Sequence, residues 1–245
     1  SMAKTLTALL VGFALQDGAI RSVDDLAEAY APGLRGTVLG GTSIRHLLQM
    51  SSGVAYREVY DGNDDSAKLS RALFSPQGHG AEQALAQFDR REVPAGTRFH
   101  YVGAETETLG VAVARATGST LAKLLETRVW QPMDAEADAT WAVDSRGLET
   151  AYCCVSAVLR DWARVGLMLA HDGAWNGRQI VPRNWVIDMT SVAAPQFAPG
   201  AATRANGYGY QTWLLPGPGR QFALLGTRGQ GVYIDPAAKL VMVHT

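Results

Sequence analysis

Cysteine is nearly absent. The chain of 245 residues has two, the adjacent Cys153 and Cys154. Neighbouring cysteines rarely bridge and no third thiol exists, so no disulfide framework is expected, and the pair reads as two small buried residues. The five histidines, His46, His79, His100, His171 and His244, fall at no metal-ligand spacing, so no metal site is expected. Neither sign of charge dominates: 22 basic and 23 acidic side chains give a net charge of -1. Without a basic stripe or an acidic tail, nucleic acid and anionic membrane are excluded as partners. No apolar run reaches the length of a membrane-spanning helix. No repeat or low-complexity tract is present. What remains is an ordinary globular composition, 47% hydrophobic and 18% charged, enough for one large domain or two small ones.

Periodicity divides the chain into helices followed by strands. Leu6, Leu9, Leu10 and Phe13 recur at helical spacing, with Asp17-Gly18 as the stop. Ser22 with Asp25 resembles a capping box for a short helix before Pro32. Thr42 is positioned to cap a helix carrying Ile44, Leu47 and Leu48. Residues 54 to 98 read as polar and irregular, with Asp61 to Asp65 as a solvated loop. Further helices are expected from about Thr106 to Ala116, from a Ser119 cap to Trp130, from a Ser156 cap to Leu169, and after Pro182. The segments Tyr208 to Leu215, Gln221 to Leu225, Gly231 to Asp235 and Leu240 to His244 are short and β-prone, an antiparallel meander. Helices first and strands last predict an α+β chain.

Ser1-Met2-Ala3-Lys4 carries the chemistry. Spacing of i, i+3 at the start of an amphipathic helix sets the hydroxyl and the amine on one face, one turn apart. A serine hydroxyl is a weak nucleophile until a neighbouring base takes its proton, and a lysine is such a base when burial lowers its pKa. By itself the tetrad is weak evidence, and Ser-Met is equally the form of a cloning scar before an initiator methionine.

The surrounding segments decide between the two. Ser1-Met2-Ala3-Lys4-Thr5 with Leu9-Leu10-Val11-Gly12 resembles the nucleophile helix of serine β-lactamases, penicillin-binding proteins and related esterases. Thr42 to Gly53, Phe99-His100-Tyr101 with Leu109-Gly110, Arg160-Asp161-Trp162-Ala163-Arg164, and Gly229-Gln230 with Ile234-Asp235-Pro236 follow in the same order. Over nearly its whole length the chain is most similar to the β-lactamase-related serine hydrolases that include 6-aminohexanoate-dimer hydrolase. The resemblance implies a single domain over 1–245: an antiparallel sheet flanked by helices, a helical subdomain at about 42–200 and sheet strands at about 208–245. It also implies a domain incomplete at both ends, since strands precede the nucleophile and a helix follows the last strand in that family.

That family uses three boxes. Ser1 and Lys4 form the first. Tyr101 opens the second and would relay the proton, provided cationic neighbours stabilise its anion. Gly103 stands where a polar side chain is expected to orient the lysine and bind a substrate amide, which favours ester hydrolysis over β-lactam or peptide recognition. In the third box Leu224-Leu225-Gly226 replaces Lys-Thr-Gly. Gly226 leaves room for substrate against the strand, and Arg228 is either a carboxylate ligand or a solvated turn residue. The backbone N–H groups of Ser1 and Thr227 would form the oxyanion hole, and the α-amine of a chain beginning at Ser1 is a poor substitute for an amide. The implied activity is hydrolysis of a small ester or amide through an acyl-enzyme, with no cofactor or metal. Whether the compartment is cytoplasm or periplasm stays open. Two rivals stand beside it: an N-terminal-nucleophile hydrolase with the Ser1 α-amine as base, and a non-catalytic binding or sensor domain. Asp161 with Arg164 reads as a structural pair, and Trp141 and Trp213 as core or cleft wall.

Overall fold

The computed structural model describes every residue from Ser1 to Thr245. At its centre lies α1 (Ala3–Gln16), buried from Ala3 to Ala14. The Leu6, Leu9, Leu10, Phe13 stripe accounts for one face only. Ala3, Ala8, Val11 and Gly12 let neighbours close over the others, and a helix apolar on all sides belongs in the interior. Its two threonines are satisfied by other segments: Thr5 donates to the Gln211 carbonyl at 2.7 Å and Thr7 to the Ala151 carbonyl at 2.8 Å. Asp17 caps the end and Gly18 turns the chain at φ +73°.

The predicted capping box at Ser22 gives only a 3-10 turn, Ala27–Ala29, because the Asp25 carboxylate accepts from the Tyr30 hydroxyl instead. Helix α2 (Ile44–Leu48) is capped by Ser43, whose Oγ accepts the His46 N–H, and not by Thr42, whose hydroxyl donates to Val38. The stretch expected to be irregular holds α3 (Asp65–Phe74) and α4 (Ala81–Ala86). The acidic run is in part a helix start: Asp64 accepts the Ala67 N–H at 2.9 Å and the Ser66 hydroxyl at 2.8 Å.

Helix α5 (Gly103–Thr117) packs across α1, is buried from Gly103 to Val113, and ends on Gly118 in the left-handed region. Helix α6 (Leu121–Leu125) is capped by Thr120 rather than Ser119 and continues into a π-helical turn, Glu126–Trp130. Strands β1 (Thr140–Trp141) and β2 (Val155–Ser156) pair antiparallel, so Ser156 lies in a strand and α7 (Leu159–Ala170) begins after it. Asp161 accepts the Glu136 and Ala137 N–H groups and pairs with Arg164 at 2.7 Å, a structural clamp. A hairpin of β3 (Ala174–Trp175) and β4 (Arg178–Gln179) precedes α8 (Arg183–Met189).

The chain closes with a five-stranded antiparallel meander: β5 (Gly207–Tyr208), β6 (Trp213–Leu214), β7 (Phe222–Leu225), β8 (Gly231–Asp235) and β9 (Leu240–His244). The single strand expected from Tyr208 to Leu215 is a hairpin, because Gln211 adopts φ +53° and reverses the chain. Helix α7 lies on β8 and β9.

One exclusion from the sequence fails. Cys153 and Cys154 are joined by a disulfide. Successive side chains of an extended segment point apart, but Cys154 turns into the left-handed region at φ +70°, which removes that obstacle.

Candidate active site

Ser1 lies two residues before the start of α1, and Lys4 is the second residue of that helix. Lys4 is 3% exposed. Its Nζ donates to the Tyr152 carbonyl at 2.9 Å and lies 5.2 Å from the centre of the Tyr101 ring and 5.1 Å from that of Tyr152. An ammonium between two aromatic faces gains some attraction, yet burial is the larger effect. It brings the Lys4 pKa down from 10.5 to about 8, against the pull of the Glu58 and Glu107 carboxylates.

Tyr101 ends the segment before α5. The Ser1 amino nitrogen donates to its hydroxyl at 3.3 Å, and its ring stacks on Trp213 at 5.4 Å between centres. Trp213 and Tyr208 thus form the wall that holds Tyr101. Burial drives this phenol well above its ordinary pKa, so the anion expected from cationic neighbours is not the resting form. Ser1 Oγ makes one hydrogen bond, accepting the Ala3 N–H at 3.4 Å. The Ser1 amine, buried beside Lys4, is pushed down to about 4.

A cleft of about 420 Å³ opens beside Ser1, and Gly226, Thr227 and Arg228 of the β7–β8 turn lie across it. The Cys153–Cys154 disulfide and Trp162 complete that side. Lys4, Tyr101 and Gly103 do not line this cleft; the Tyr101 hydroxyl accepts from the Ser1 amine, and the Lys4 amine makes no hydrogen bond to Ser1. A Cβ on Gly226 would lie 2.3 Å from Gln230 Oε1, so a larger residue there needs the flexible Gln230 side chain to move. Arg228 is exposed and forms no ion pair; its N–H donates to Gln230 at 3.3 Å.

Three acidic or phenolic groups belong to this region without having been legible as such. Gly103 N–H donates to Glu58 Oε2 at 2.6 Å, and Tyr60 donates to Glu58 Oε1 at 2.6 Å. Glu107 is fully buried one turn beyond Gly103. Neither of its oxygens completes a hydrogen bond, although the Tyr152 and Ala151 N–H groups favour its charge, and burial raises its pKa to about 8. Lys4 and Glu107 therefore act on the two ends of the same residue, Tyr152. The only available signal was Glu107 itself, an acid inside an apolar helix. Glu58 sits in a segment without periodicity.

The beta-lactamase family profile matches residues 1–244. The chain belongs to the beta-lactamase family. Its fold is accordingly β-lactamase/transpeptidase-like, with mixed helices and antiparallel strands. This beta-lactamase family chain is 28% identical over 251 residues to the 6-aminohexanoate-dimer hydrolase of Paenarthrobacter ureafaciens, covering 99% of itself and 64% of that protein. It superimposes with a TM-score of 0.88 and 29% identity on a Bacillus anthracis protein provisionally named 6-aminohexanoate-dimer hydrolase, covering 100% of itself and 65% of that chain. It shares its fold, at 16% identity and a TM-score of 0.75, with EstCE1, a hydrolase with promiscuous acyltransferase activity, over 99% of itself and 77% of that chain. The chain thus spans slightly less than two thirds of the length of the first two relatives.

Proposed function

We propose that the chain carries the acyl-transfer centre of a serine hydrolase acting on small esters or short amides. The observation that carries this reading is Lys4: an amine held at about 8 by burial, one helical turn from Ser1, against the ring of the tyrosine whose hydroxyl accepts from the Ser1 amine. At pH 7 roughly one tenth of such a lysine is neutral, about 300 times more than at its ordinary value. Neutral Lys4 takes the Ser1 proton as Oγ bonds to the substrate carbonyl carbon. The tetrahedral oxyanion is held by the Thr227 N–H and the backbone nitrogen of Ser1. As the ester C–O or amide C–N bond breaks, Lys4 returns the proton to the leaving group through the neutral Tyr101 hydroxyl. Water then releases the acyl group by the reverse proton path. Gly226 shapes the turn and Arg228 offers a guanidinium to a substrate carboxylate.

The Ser1 α-amine is a weaker candidate base, because at about 4 it binds protons too poorly to draw one from a hydroxyl near neutrality. The non-catalytic reading draws on Gly103 and on the third box without lysine. A fluorophosphonate probe separates these readings. Labelling that is lost in Ser1→Ala and in Lys4→Ala, and that survives one added residue before Ser1, supports the proposal. Absence of labelling in the unmodified chain overturns it in favour of a binding domain. Labelling abolished by the added residue alone overturns it in favour of the α-amine.

A further inference from the structure

We propose that Glu58 is a positioning residue for Lys4, a carboxylate delivered from a loop to the edge of the space beside Gly103. This rests on the reading of Lys4 as the base. A Cβ built on Gly103 would lie 3.2 Å from Glu58 Oε2 and 3.2 Å from Cδ2 of Tyr152. The carboxylate and the ring that flanks Lys4 thus border that space closely. The same carboxylate oxygen accepts the Gly103 N–H at 2.6 Å, one of the free donors at the start of α5.

The loop is built to hold this carboxylate. On one side of Glu58 the Arg57 N–H donates to Asp65 at 2.8 Å. On the other, the Val59 and Tyr60 N–H groups both donate to Asp64 Oδ2, at 2.7 and 2.6 Å. Tyr60 adopts φ +60°, a costly conformation for a bulky residue, and its hydroxyl donates to Glu58 Oε1 at 2.6 Å. Backbone pinned on both flanks and a hydrogen bond on each carboxylate oxygen leave the group little freedom.

Its effect is electrostatic. The groups facing Lys4 are the Ser1 amine, the Tyr101 and Tyr152 rings, Glu58 and Glu107, and of the two carboxylates Glu58 does more to favour the charged lysine. Glu58 is itself faced by Tyr60 and the Gly103 N–H, and Tyr56, Tyr152 and His100 lie in its field. A carboxylate at the start of α5 is also a helix cap, and a cap alone would act on stability without touching Lys4.

The deciding measurement is the Lys4 side-chain NMR titration, which needs no substrate. In Glu58→Gln the amide oxygen still accepts the Gly103 N–H but the charge is gone, and the Lys4 midpoint falls by about one pH unit. In Glu58→Ala the carboxylate is removed altogether, and the midpoint falls by a similar amount. Glu58→Asp retains most of the wild-type value. Where acylation is followed, its pH profile shifts with the midpoint. A midpoint unchanged in Glu58→Gln, or in Glu58→Ala should the first variant fail to fold, overturns the proposal and leaves Glu58 a cap. Loss of Ser1-dependent acylation in the unmodified chain refutes the proposed function but not this titration, so the two failures are distinguishable.

Discussion

Lys4 is a charged group buried at the centre of the fold, and that placement has a measurable energetic signature. Its folded pKa of about 8 lies below the ordinary 10.5. A lowered lysine pKa means that the unfolded chain binds the proton more tightly, so stability rises with pH between the two values. At about 1.4 kcal/mol per pH unit, the gap corresponds to about 3 kcal/mol of stability withheld below pH 8 and recovered by pH 10.5. Lys4→Met keeps the length and removes the charge. It also leaves the Tyr152 carbonyl without its donor, a loss of about 1–3 kcal/mol that does not vary with pH. The informative quantity is therefore the difference between wild type and Lys4→Met. Urea unfolding from pH 7 to pH 11 is expected to show wild type gaining about 3 kcal/mol on the variant between pH 8 and 10.5. Tyrosines titrating in the same range cancel in the difference. A flat difference across that window refutes the assignment of a depressed pKa, and with it the supply of neutral lysine on which the proposed chemistry depends.

Glu107→Gln has the opposite pH dependence: a carboxyl raised from 4.5 to about 8 contributes fully below pH 4.5 and loses that contribution as pH rises to 8. The variant is expected to gain on wild type by roughly 3 kcal/mol at pH 7 and nothing at pH 4, read by urea unfolding. Arg228→Ala should raise KM about tenfold for an ester carrying a free carboxylate and leave a neutral ester unchanged; equal effects on both would mark Arg228 as a turn residue only. Iodoacetamide should modify neither Cys153 nor Cys154 until a reductant is added, as read by intact mass, and alkylation without reductant would contradict the bond.

The readable parts of the fold were those with a period. The α1 stripe, the helix ending on Gly118, and the strands Gly231–Asp235 and Leu240–His244 follow from spacing and turn residues. What escaped depends on side chains acting out of local register. Asp64 looks like part of a solvated acidic run, yet its carboxylate starts α3 and pins the Glu58 loop at once. Caps were displaced by one residue at Ser43 and Thr120, because Ser-Thr neighbours are chemically equivalent and only tertiary contacts choose between them. The disulfide required a left-handed residue that no propensity announces. Ser1, Lys4 and Tyr101 could be named from spacing and resemblance. Glu58 could not, since the N–H it accepts belongs to a glycine 45 positions away.

The burial of α1 divides the molecule by how freely it can vary. The proposed base is borne by α1, which packs on α5, α6 and α8, and the proposed nucleophile lies just before it, so changing their surroundings disturbs folding. The turn at Gly226 to Gln230, proposed to meet substrate, lies across the cleft, and the Tyr60 loop is exposed at its tip. Selection, or an engineer, can rewrite those rims to admit a different acyl group while the reactive centre and the fold stay as they are.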